Sequence, residues 1–175
     1  MSEIIVTQER KHRAEQQIRQ EQKQVNYRTL DYPIAMLVDK YLTGIADNSN
    51  ELFIPDYRQE MTWDEKRQSK FIELILLDFQ IPSLYVSEVL AENETEDIRL
   101  EIVDGSQRLQ TLARFLQNQL TLCNLTLLTE LNGTRFLNLS DAHQNKFKRQ
   151  RIRVVQFNPD TTKEDRRDFY ERFNS

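Results

Sequence analysis

The sequence predicts an α+β domain, a small mixed sheet flanked by helices, and three observations predict it. In residues 98–102, Ile98, Leu100 and Ile102 alternate with Arg99 and Glu101, the period of two expected of a half-buried strand. Immediately afterwards Leu109, Leu112, Phe115 and Leu116 recur at helical spacing towards Gln119, with the switch of period at Asp104, Gly105 and Ser106. Residues 84–89 and 151–157 read as two more strands set among segments of helical period, so the sheet is expected to grow from the segments near Leu84, Ile98 and Arg151.

From the N-terminus, residues 1–26 are polar and carry hardly any apolar stripe. They predict a helix-prone extension with little to bury, frayed or held by a partner, ahead of a domain over 27–175. Pro33 suits a first helical position, and Ile34, Leu37, Val38, Tyr41 and Leu42 follow the spacing of a core helix that Gly44 ends. A turn over 47–51 leads to a short extended segment, 52–54, running into Pro55. Thr62 and Glu65 have the spacing of a capping box, and the helix it opens carries Phe71, Ile72, Ile75, Leu76 and Phe79 on a broad apolar face, with Pro82 preventing continuation. Residues 91–97 read as an acidic loop. Residues 120–139 are apolar but broken at Asn124 and Asn132-Gly133, which fits a hairpin or a strand and a turn. Ser140 is expected to cap a short helix over 141–149, and Thr162 with Asp165 to open a last helix over 163–173.

At 175 residues the chain has room for one domain with a sizeable core. A net charge of −4 argues against a surface that coats nucleic acid wholesale and leaves room for a local basic patch. Cys123 is the single cysteine, so an internal disulfide and a Cys-based zinc site are both excluded, and its apolar surroundings predict a core residue. His12 and His143 are too few and too separated to suggest a metal cluster or a nucleophilic triad. No apolar run approaches the ~18 residues of a membrane span and no signal-peptide core is present, so a cytoplasmic protein without membrane contact is expected.

Chemistry concentrates at Asp104-Gly105-Ser106-Gln107-Arg108. A glycine between an apolar strand and an apolar helix, in a chain with only three glycines, serves a sharp turn and a close approach. The helix that follows directs free N–H groups at that turn, and Arg108 in its first turn opposes the helix dipole unless an anion sits there. The plainer reading is an ordinary strand-to-helix connection with a solvated arginine. Asp104 has two compatible readings, a helix N-cap or a carboxylate holding Mg²⁺ through water. Further along, Lys146, Lys148, Arg149, Arg151 and Arg153 crowd five cations into eight residues. They read as the wet face of a strand or as DNA-contact candidates.

Those five turn residues, with Ile54-Pro55-Asp56-Tyr57-Arg58-Gln59 upstream and Trp63 beyond, carry a resemblance. They are similar to the N-terminal domain of the DUF262 family, which includes GmrSD-type, modification-dependent restriction proteins. The family pattern is I-P-x-Y-Q-R-x-Y-x-W followed by D-G-Q-Q-R, and the similarity runs from about Tyr32 to the end of the chain. Ser106 stands where the family has Gln, and Arg58-Gln59 reverses the family's Gln-Arg order. The resemblance implies a ParB/sulfiredoxin-like fold that binds a nucleoside triphosphate with Mg²⁺. It also implies that some members hydrolyse the nucleotide, while acting on foreign or modified DNA through a larger protein or complex. It assigns catalytic roles to Asp104, Gln107 and Arg108, and nucleotide binding to Tyr57, Arg58, Gln59, Gly105, Ser106, Arg172 and Asn174. The last two belong to a segment like the family's F-x-R-x-N, inside which the chain ends, so a domain cut short at its C-terminal side is expected. A noncatalytic module that recognises DNA or a protein on the same fold is the alternative.

Overall fold

The structure is a computed structural model and describes residues 4–24, 27–90, 98–158 and 171–172. Among these residues five strands form one mixed sheet in the order β1-β5-β3-β4-β2, where β1 is Tyr27–Pro33, β2 Leu52–Phe53, β3 Leu84–Leu90, β4 Ile98–Asp104 and β5 Arg151–Phe157. The three expected strands, β3, β4 and β5, are its centre. β3 pairs antiparallel with β4 and parallel with β5, β1 runs antiparallel to β5, and β2 lies parallel to β4. Leu84, Val86, Leu100, Ile102, Ile152 and Val154 share one buried face, and onto it pack α2 (Ile34–Leu42), α3 (Glu65–Leu76), α4 (Ser106–Leu116) and α5 (Asp141–Arg149). α1 (Gln8–Gln24) lies in the polar N-terminal stretch and is exposed throughout the part whose side chains are described.

β1 was not foreseen. As an edge strand it needs one neighbour and only a weak apolar pattern, and its last residue, Pro33, is tolerated because the edge demands no further ladder donor. Pro33 is accordingly the residue before α2 rather than its first turn. β4 is buried across its middle, where Leu100, Glu101, Ile102 and Val103 are each less than a tenth exposed, so both faces of that strand are covered rather than one.

The expected capping box at Thr62 and Glu65 is replaced by Asp64, whose carboxylate accepts from the Arg67 amide at 2.8 Å. The Thr62 amide is already bound by Gln107, which holds this residue outside the helix. α3 also stops short of Phe79, which is 54% exposed instead of core. Asp78 adopts a left-handed conformation (φ 60°) and the Phe79 amide reaches back to the Leu74 carbonyl, a closing bond that turns the chain out of the helix. α4 ends the same way at Asn118, with Gln119 bonded to Arg114, three residues before the end its periodicity suggested.

Residues 120–139 form no strand. Leu122 exchanges two backbone bonds with Gly133 and Thr134 (2.7 and 2.8 Å), the closure of a hairpin without a ladder, and the rest is held by two 3₁₀ turns, Thr129–Leu131 and Phe136–Asn138, and by side chains. Glu73, 3% exposed, accepts from the Leu127 and Leu128 amides, Ser69 accepts from Cys123, and Asn132 bonds both backbone groups of Leu125. Cys123 is half-buried rather than fully core. Ser140 caps α5 as expected. The helix expected over 163–173 lies outside the described residues apart from Glu171 and Arg172, which are helical and exposed. No helix among the described residues is long and apolar enough to cross a membrane.

Candidate functional site

The turn at Gly105 is built by backbone geometry that only glycine supplies. Its φ is 106°, and a Cβ there would lie 2.2 Å from Leu84 Cδ2 and 3.2 Å from Arg108 Nη2. Asp104 ends β4, Gly105 occupies the N-cap position, and α4 starts at Ser106 with no side chain capping it. Asp104 is therefore not the N-cap. Its carboxylate faces Arg108 instead, at 3.3 Å, with both side chains largely buried.

Arg108 holds three segments together. Nη1 donates to the Pro82 and Ser83 carbonyls at 2.6 and 3.1 Å, and Nη2 donates to Asp104 Oδ2. Burial pulls this guanidinium below its ordinary value, while the charges of Asp104 and Tyr85 oppose the shift. The plain picture of a solvated arginine is thus replaced by a buried tie between the start of β3 and the start of α4.

Gln107 links the turn to the loop before α3. Its Oε1 accepts from the Thr62 and Trp63 amides at 2.7 and 3.2 Å, and its Nε2 donates to the Glu60 carbonyl at 2.8 Å. One turn further on, Gln110 donates to the Gln59 carbonyl at 2.8 Å. The two sequence segments singled out above are thereby brought together, through glutamine side chains on one helix face and backbone groups of the loop.

Beside this junction lies a cavity of about 420 Å³, lined by Trp63, Arg67, Lys70, Phe71, Leu74 and Pro82 on one side and 104–108 on the other. Arg67 stacks its guanidinium 4.7 Å from the Trp63 ring centroid, and Trp63 packs edge-on to Phe71 at 5.6 Å. Arg67 and Lys70 make no ion pair among the described residues, so with the uncapped end of α4 they give the cavity a positive character. Neither cation was identified from the sequence. The signal was present, since Arg67, Lys70 and Leu74 follow one another at three- and four-residue spacing and so share a face of α3, with Trp63 just ahead of its N-cap.

Tyr57, Arg58 and Gln59 do not line this cavity. Tyr57 and Arg58 belong to a single 3₁₀ turn, with the Arg58 guanidinium 5.6 Å from the Tyr57 ring, and Gln59 donates to the Ile54 carbonyl and the Asp56 carboxylate. Arg172 is exposed in its short helical segment, and Asn174 lies outside the described residues. Lys146, Lys148 and Arg149 occupy the end of α5 and Arg151 starts β5, all four exposed and none lining the cavity.

No curated protein and no solved structure matches the chain significantly. A family model does match it, over residues 34–175, which takes in the loop, the turn and all of the sheet but β1. The domain that places Gln107 and Arg108 between these segments therefore belongs to the family described as the N-terminal domain of GmrSD restriction endonuclease.

Proposed function

We propose that this domain of a restriction or phage-defence protein binds a nucleoside triphosphate in the cavity at the start of α4. The observation that carries the reading is the convergence there of Arg67, Lys70 and the uncapped helix end around an indole, Trp63, in a space of about 420 Å³. Two cations and oriented amides suit phosphate oxygens, and an aromatic wall suits a base or ribose. Among the described residues Asp104 is the single carboxylate lining the cavity, which fits a Mg²⁺ ion that arrives with the nucleotide and is held mainly by phosphates. Bound there, the ion would screen phosphate charge. The chain's own part is then to orient the phosphates through Arg67, Lys70 and the α4 amides, with Gln107 fixing the loop that carries Trp63. Hydrolysis would follow from attack of water on the terminal phosphate, with charge stabilised by the same groups.

A second reading, a noncatalytic recognition module, is favoured by one observation: Arg108 has its donors directed at Pro82, Ser83 and Asp104. Calorimetric titration of ATP, GTP and CTP with Mg²⁺ distinguishes the two. Under the first reading one nucleotide binds the wild type, and Arg67→Glu/Lys70→Glu weakens it at least tenfold while the melting temperature stays within a few degrees. Phosphate release on the same samples reports whether binding leads to hydrolysis. A folded wild type that binds none of the three supports the recognition module.

A further inference from the structure

We infer that the ridge formed by the last turn of α5 and the first residues of β5 is a contact surface for the phosphate backbone of duplex DNA. The ridge carries Lys146, Lys148, Arg149, Arg151 and Arg153, with no acidic residue among positions 146–153, in a chain whose net charge is −4. All five cations are exposed, while Phe147 and Ile152 between them are 1% and 3% exposed. Phe147 packs against Phe115 and Phe136, and the Ile34 amide bonds the Gln150 carbonyl at 2.8 Å. The cations therefore stand on a fixed corner of the core and not on a loose segment.

The helix dipole explains only part of this charge. Cations at the C-terminal end of α5 are favourable for the helix itself, which accounts for Lys146, Lys148 and Arg149. Arg151 and Arg153 lie beyond the helix on a strand, where no dipole calls for them. Neutralisation within the protein is weak as well. Lys146 pairs with Asp78 and Arg153 with Asp31, but those carboxylates are 58% and 49% exposed, and such pairs exchange readily for another anion. Among the described residues Arg149 and Arg151 have no carboxylate within ion-pair distance.

The shape agrees with a phosphate backbone more than with other partners. Lys146, Arg149, Asn145 and Gln150 line a cleft of about 560 Å³ that Asp78 and Ala142 also border, so charged and neutral polar residues share one space. Residues 146–153 expose no aromatic ring, since Phe147 is buried, so the ridge itself has no aromatic platform for the bases of a single strand. Contact through cations alone is sequence-independent, and it suits a domain whose family serves restriction of DNA. The inference does not rest on the nucleotide reading, because its residues and those of the cavity are separate sets.

The test is fluorescence anisotropy with a mixed-sequence duplex of about 30 base pairs, without nucleotide, between about 50 and 200 mM salt. The wild type should bind with affinity that falls steeply with salt. Lys148→Glu/Arg151→Glu should weaken binding at least tenfold at the lowest salt and flatten the log–log slope by about two. Arg149→Gln/Arg151→Gln, a milder change, should shift both in the same direction by less. Lys11→Glu/Arg13→Glu, an equal charge change on α1, should leave both near wild type. Absence of binding by the wild type, an unchanged slope in both ridge variants, or an equal loss in the α1 variant would overturn the inference. Tighter binding of single-stranded RNA of the same length would overturn the assignment to duplex DNA.

Discussion

Replacing Gly105 by alanine tests whether the turn is dictated by backbone geometry. Two separate costs follow from the structure. The φ of 106° is a conformation that a residue with a Cβ resists, at about 1–2 kcal/mol. The added methyl would also lie 2.2 Å from Leu84 Cδ2, and Leu84 is 1% exposed inside the core, with little freedom to withdraw. Overpacking of that kind costs about 1–3 kcal/mol. The sum, about 2–5 kcal/mol, is a large part of the roughly 5–15 kcal/mol that a domain possesses, and should lower the melting temperature by about 5–15 °C. Urea denaturation followed by circular dichroism measures it. A cycle with Leu84→Ala separates the two costs, because shortening Leu84 removes the collision but not the dihedral penalty. The double variant should be less destabilised than the sum of the singles by about 1–3 kcal/mol. Additivity within about 0.5 kcal/mol would show that the collision is relieved elsewhere and that only the dihedral angle requires glycine.

Three further outcomes are expected. Gln107→Ala leaves the Thr62 and Trp63 amides and the Glu60 carbonyl without their partner, and should raise amide exchange at Trp63 about tenfold with little change at the core strands, as read by hydrogen-exchange mass spectrometry. Glu73→Ala deprives two backbone amides of a buried acceptor and should destabilise the domain by about 2–4 kcal/mol in urea, whereas an effect below about 0.5 kcal/mol would mean that 127–128 finds another acceptor. Arg108→Ala breaks a largely buried pair and frees two carbonyls, so it should cost about 2–4 kcal/mol of stability before any ligand is considered, measurable by thermal melting of the ligand-free domain.

What could be read from the chain depended on how local each signal was. β3, β4, β5, α2 and α5 announce themselves because apolar period and a nearby turn or cap residue coincide, as at Ser140 before α5. β1 has no such coincidence, since its pairing with β5 joins Tyr27 to Phe157 and depends on a partner far along the sequence. The ends of α3 and α4 were misread because Asp78 and Asn118 take the left-handed conformation that glycine usually marks. Residues 120–139 were misread for the opposite reason. Their apolar run resembles strands, but their amides are met by Glu73 and Ser69 of α3, which no local pattern reveals.

The site divides along the same line. The resemblance assigned nucleotide-binding roles to both the turn and the upstream loop, and the structure joins the two through Gln107 and Gln110, which bind loop backbone rather than loop side chains. This makes the contact indifferent to the order of Arg58 and Gln59, because the group held at Gln59 is its carbonyl. It also changes how an arginine at the turn is to be tested. Arg108 joins β3 to α4 through the Pro82 and Ser83 carbonyls, so its removal disturbs the cavity walls whether or not a phosphate ever touches it. Loss of nucleotide binding in Arg108→Ala therefore cannot separate a ligand contact from a collapsed wall. Arg67 and Lys70 can separate them, since among the described residues neither pairs with a carboxylate and each can be reversed in charge at little cost to the fold. If nucleotide binding survives Arg67→Glu/Lys70→Glu yet is lost with Arg108→Ala at matched stability, the phosphates lie against Arg108 and its three bonds rearrange on binding.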